Sequence, residues 1–106
     1  MKRYLCNYSD NWTDEIDIDG ICIIDEDRYK EFKKKAKKFK YGYFYIGSNE
    51  EIEYDVEDGF NIKDVISFKE ISEDEFKILK KLKLENIGFA SSFIEFIMEN
   101  DEEDED

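Results

Sequence analysis

Histidine and proline are absent from this 106-residue chain, cysteine occurs twice and glycine five times, and nowhere does an apolar run reach the length of about 18 residues that a membrane helix requires. Each scarcity excludes something. Without histidine there is no imidazole base, no Ser-His or Cys-His nucleophile pair and no His-containing metal site. Two cysteines, Cys6 and Cys22, cannot build a structural zinc site alone. Glycine-rich phosphate loops are missing, so neither catalysis nor a cofactor is expected. The start of the chain, MKRYLCNYSDNWTDE, meets acids before an apolar signal segment could form, which argues against secretion and against a membrane location. One disulfide could join Cys6 and Cys22, but a chain rich in Phe, Tyr and Ile has core enough without it; free thiols in a reducing cytoplasm are expected. The heavy use of Lys, Ile, Asn, Asp and Glu suggests an AT-rich bacterial or phage genome.

Charge is abundant and uneven. The formal net charge is −13, yet residues 28–40, RYKEFKKKAKKFK, hold eight of the sixteen basic residues and one acid. That segment is +7, which leaves −20 on the rest. Such a field repels nucleic acid and anionic membranes and attracts cationic proteins. Hydrophobic residues make up 41% and aromatics 16%, sufficient for the core of one domain spanning 1–100. The closing DEEDED, 101–106, repels itself and is expected to be a disordered acidic tail.

Hydrophobic periodicity places the elements. Residues 3–8 alternate as a strand, and Ile16, Ile18 and the run 21–24 favour a second. Acids at 25–27 head a helix with the apolar stripe Tyr29, Phe32, Ala36 and Phe39 and a lysine-rich end, which suits the macrodipole. YGYFYIG at 41–47 and EEIEYDV at 50–56 flank a Gly-Ser-Asn turn and read as a hairpin. Residues 59–71 lead through a loop into a fifth strand, Ser72 with Glu75 forms a capping box for a helix reaching about Leu84, and a last helix covers roughly 87–99. The order β-β-α-β-β-β-α-α predicts an α+β fold: a small antiparallel sheet of four to five strands with two to three helices on one face.

One stretch carries a motif-like pattern. In EIDIDGICIIDE, 15–26, Asp17, Asp19, Gly20 and Glu26 fall on the third, fifth, sixth and twelfth positions of an EF-hand loop, with Glu15 where Asp belongs. A calcium loop needs an entering helix, and RYLCNYSDNWTD lacks helical periodicity, so a strand running into a helix is the expected structure and no metal is assigned. Direct nucleic-acid binding is also disfavoured: stacking on Tyr43 and Tyr45 with phosphate contacts from Lys34, Lys35 and Lys38 would have to overcome the surrounding −20.

What remains is a protein that binds proteins. Nucleic-acid sites are built to attract about one negative charge per 1.7 Å of duplex, and carboxylates on a rigid scaffold can imitate that array. The expectation is therefore an acidic inhibitor whose partner is a cationic nucleic-acid-binding protein such as a nuclease or an RNA-guided effector. In size, charge and composition the chain resembles the small acidic phage proteins that block restriction or CRISPR enzymes, and also immunity proteins that neutralise nuclease toxins. Candidate contacts are Asp14, Glu15, Asp17 and Asp19 on the second strand and Glu50, Glu51, Glu53 and Asp55 on the hairpin, with Trp12 and the Tyr41, Tyr43 and Tyr45 face as aromatic anchors. The bland alternative is a solvating acidic surface, with Trp12 capping the core. A non-inhibitory homodimer joined through the apolar helix at 89–98 is the competing class, though core is the better reading of that helix.

Overall fold

The computed structural model describes residues 2–10, 18–47 and 49–100. Its first two strands, β1 (Arg3–Asp10) and β2 (Ile18–Asp25), pair antiparallel with Cys6 opposite Cys22. Alternation decides their faces. Tyr4, Cys6 and Tyr8 of β1 and Ile18, Cys22 and Ile24 of β2 turn inward, whereas Asn7, Asp19 and Asp25 are exposed on the other parity. Asp25 then caps α1 (Glu26–Lys38), its Oδ1 accepting from Arg28 N at 2.8 Å, with Glu26 and Asp27 in the first turn and Lys35, Lys37 and Lys38 in the last. Residues 18–26 are thus a strand running into a helix, as the propensities require.

Next come β3 (Tyr41–Tyr45) and β4 (Glu51–Asp55), which among the described residues pair only with each other and form a two-stranded ribbon. Two short 3-10 turns, Val56–Asp58 and Ile62–Asp64, lead to β5 (Ile66–Ile71). The capping box holds: Ser72 Oγ accepts from Glu75 N, and Glu75 Oε1 accepts from Ser72 N, opening α2 (Glu73–Lys81). A three-residue strand, β6 (Asn86–Gly88), precedes α3 (Ala90–Met98). The larger sheet has the antiparallel order β5-β1-β2-β6.

The α+β class and the order of elements follow the sequence expectation, with β6 added between the last two helices. A three-residue strand has no period to detect, and its pairing with β2 delays the start of α3 to Ala90. Among the described residues no helix is long and apolar enough to cross a membrane.

Helices α1 and α3 cover the inner face of the larger sheet, and the ribbon packs beside them. Phe93 of α3 stacks on Tyr8 at 4.6 Å and meets Phe44 and Tyr54 of the ribbon edge-on at 5.6 and 5.7 Å. One aromatic core therefore joins both sheets. Ala90, Phe93, Ile94 and Ile97 are all buried within this single chain, as the core reading of the last helix expects. Helix α2 buries nothing fully; Arg3 fastens its start, with the guanidinium 3.9 Å over the Phe76 ring and 2.7 Å from Glu73 Oε1.

The close approach of β2 and β6 depends on two opposed glycines, Gly20 and Gly88. A Cβ on Gly20 would lie 2.4 Å from both Ile87 O and Phe89 N; one on Gly88, where φ is +72°, would lie 2.2 Å from Asp19 O. Backbone atoms cannot yield as side chains do. Gly20→Ala is expected to lower unfolding free energy by about 3 kcal/mol, the upper end of overpacking costs, read from the urea midpoint. Gly59→Ala, with φ +104° but open space around it, serves as the control and should cost about 1–2 kcal/mol.

Candidate protein-binding surface

On the ribbon, period-2 alternation sends Phe44, Ile52 and Tyr54 into the core and leaves three cross-strand pairs outside: Tyr41 with Asp55, Tyr43 with Glu53, and Tyr45 with Glu51. A row of tyrosines thus lies against a row of carboxylates, successive members about 7 Å apart. The rings are open to contact, at 38%, 41% and 66% exposure for Tyr41, Tyr43 and Tyr45. Tyr41 Oη donates to Tyr43 Oη at 2.8 Å, and that bond, with Glu53 nearby, raises the Tyr41 phenol pKa above its ordinary value. Asn100 ties the row to the end of α3 by donating from Nδ2 to Tyr41 O at 3.1 Å.

Behind this face a chain of hydroxyls fixes the ribbon to the larger sheet. Tyr54 Oη donates to Asp10 Oδ2, and Tyr8 Oη lies 2.7 Å from Tyr54 Oη. A hydroxyl carries one proton and an ionised carboxylate only accepts, so Tyr8 is the donor to Tyr54. Burial is the main reason both phenol pKa values are raised, and the Asp10 carboxylate raises them further.

Asp10 is held at the wall of a concavity of about 360 Å³ that Glu53, Asp55, Asp58 and Asp64 also line, with the stacked Tyr54 and Phe60 rings between them. The two 3-10 turns bring the last two acids there. Asp55 Oδ1 accepts from Glu57 N at 2.9 Å to cap the first turn, and Asn61 Oδ1 accepts from Lys63 N at 3.1 Å to cap the second. Among the described residues five carboxylates and no basic side chain line the concavity, which suits a guanidinium or ammonium group brought by a partner. Among the described residues no set of three or more His, Cys, Asp or Glu is arranged to hold a metal ion.

The sequence candidates divide by place. Trp12, Asp14, Glu15 and Asp17 lie outside the described residues. Asp19 is exposed on the face of the larger sheet turned away from the core, while the ribbon packs on the core side; Asp19 and the ribbon carboxylates therefore do not share one face. Glu50, Glu51 and Glu53 are exposed and Asp55 is half-buried, all on or next to β4. Asp10, Asp58 and Asp64 have no signature in sequence, because Asp10 ends β1 and reaches the concavity by its bond to Tyr54 and the Ser9–Val65 backbone pairing, while Asp58 and Asp64 sit on two short turns. The alternation that exposes Tyr43 and Tyr45 also sets Glu53 and Glu51 directly opposite them, so a stacked nucleic-acid strand would meet carboxylates.

Comparison with protein-family models, curated proteins and solved structures finds no match to the chain.

The buried phenols make an alkaline prediction. An unfolded tyrosine ionises near pH 10, whereas Tyr8 and Tyr54 hold their protons to higher pH when folded. Between those values the native state binds more protons than the unfolded state, so stability falls as pH rises above about 10. Ultraviolet titration of the seven tyrosines should show Tyr8 and Tyr54 ionising only as the fold is lost, and Tyr54→Phe should shrink the alkaline loss. A single reversible step for all seven near pH 10, with the fold intact, would contradict the buried chain.

Proposed function

We propose that the protein is an acidic inhibitor that occupies the cationic nucleic-acid site of a nuclease, restriction enzyme or RNA-guided effector, in the manner of phage proteins that evade host defence. The observation that carries this reading is the ribbon and its flank: Glu51, Glu53 and Asp55 on one rigid face, with Asp10, Asp58 and Asp64 converging beside them. Carboxylates about 7 Å apart along a strand approach the phosphate repeat of one nucleic-acid strand. The concavity accepts an arginine that would otherwise grip a phosphate. Tyr43 and Tyr45 add amphipathic contact area of the kind that dominates interface energies. With a net charge of −13, electrostatic steering speeds encounter with a basic site and makes it strongly dependent on salt.

A pull-down with the tagged protein as bait from lysate of its native host, washed at low and at high salt, tests the reading. The expected result is one or a few cationic nucleic-acid-binding proteins retained at low salt and released at high salt. Retention of the bait alone, or of a partner with no nucleic-acid site, overturns it.

A further inference from the structure

The lysines of α1 border a different feature, a groove of about 930 Å³ between α1, the two 3-10 turns and β5. Its floor is aromatic, with Phe32, Phe39, Phe60 and Phe68, and its lip carries Lys33, Lys37 and Lys63. Among the described residues no carboxylate lines it, in a chain where acids outnumber bases twenty-nine to sixteen. It shares only Phe60 and Asn61 with the acidic concavity.

Along the groove runs a sheet edge. Among the described residues β5 pairs with β1 and with no other strand. The bond from Ser9 N to Val65 O extends the β1–β5 register by one pair and fixes which residues exchange bonds. Asn7 with Ser67, Leu5 with Lys69, and Arg3 with Ile71 are the hydrogen-bonded pairs. The N–H and C=O groups of Ile66, Phe68 and Glu70 therefore point away from the sheet, along the groove. An unpaired row of backbone donors and acceptors beside an apolar trough is the geometry of strand addition.

We infer that this groove receives an extended segment of a partner protein, added antiparallel or parallel to β5 as a fifth strand, whose trough-facing residues, every second one, are apolar at the centre and acidic at the ends. The segment's backbone bonds to Ile66, Phe68 and Glu70, its apolar side chains enter the aromatic trough, and its carboxylates meet Lys33, Lys37 and Lys63. Only alternate residues of the added strand face the trough, so its apolar residues and the acids that meet the lysines all fall on that one parity. The surface is separate from the acidic face, so its occupancy does not depend on nucleic-acid mimicry.

The test uses the full chain and an end-blocked, fluorescein-labelled octapeptide with Glu, Val, Phe and Glu at every second position and Ser between them, followed by fluorescence anisotropy. A matched peptide with Lys in place of Glu and a palmitate competitor accompany it. The expected result is saturable binding of the acidic peptide only, weakened at least about tenfold in K33E/K37E/K63E. Slower amide exchange at Phe68 and Glu70 in the complex is expected as well. No saturable binding, equal binding of the lysine peptide, unchanged affinity in the triple variant, or a palmitate complex the peptide cannot displace would each overturn the inference.

Discussion

Phe93→Ala is expected to remove about 3–5 kcal/mol of stability, the cost of deleting a buried aromatic ring and leaving a cavity. Phe93 is fully buried and lies between Tyr8 of the larger sheet and Phe44, Tyr54 and Phe96. The ring fills the space between the two sheets, beside the direct Tyr8–Phe44 contact and the Tyr8–Tyr54–Asp10 chain, so the cavity opens where neither side alone can collapse to fill it. For a chain of this size each kcal/mol lowers the melting temperature by about 4–8 °C, so the loss should exceed about 12 °C. Ile78→Ala, on the exposed face of α2 at 56% exposure, should stay within about 1 kcal/mol by comparison. Urea unfolding reads both values, and a loss below about 1 kcal/mol for Phe93→Ala would mean that the ribbon is not docked through this ring.

The second large effect concerns partner binding with the fold intact. E51K/E53K/D58K reverses three exposed carboxylates of the ribbon and its flank, a change of six charges. It leaves Asp55 to cap its turn and Asp10 to accept from Tyr54. Affinity for the captured basic partner should fall at least about 100-fold, equivalent to about 2.7 kcal/mol. Much of that fall should appear in the association rate, together with a shallower dependence on salt. Melting should change little, since the three side chains are exposed. Undiminished affinity would place the contact elsewhere, on the groove beside β5 or on the segment that holds Asp14, Glu15 and Asp17.

Sequence periodicity was most legible where a face is half-buried. The alternation of EIEYD reported both the buried Ile52 and Tyr54 and the outward Glu51 and Glu53, and Ser72 with Glu75 announced the start of α2. Legibility ended where structure depends on contacts distant in sequence. β6 exists because Gly88 lies against Gly20, a pairing of residues 68 positions apart with no local signature. That the hairpin forms its own sheet rather than extending the larger one follows from aromatic packing through Phe44, Tyr54 and Phe93, which no strand pattern encodes. Asp10 meets Glu53 and Asp55 through the bond it accepts from Tyr54, 44 positions away, so the acidic concavity could not be assembled from runs of acids. Whether the acids of the second strand and of the hairpin share one surface was likewise not legible in sequence, and strand parity sends Asp19 to a different side of the molecule from Glu51 and Glu53.

Under the proposed function the acidic face takes the place of nucleic acid on a basic partner. The most direct measurement is competition: the partner recovered from the host is bound to a fluorescent DNA or RNA duplex, and the protein is titrated in at fixed salt. The expected result is stoichiometric displacement of the duplex by the native chain and none by E51K/E53K/D58K. A stable ternary complex of partner, duplex and protein would contradict it.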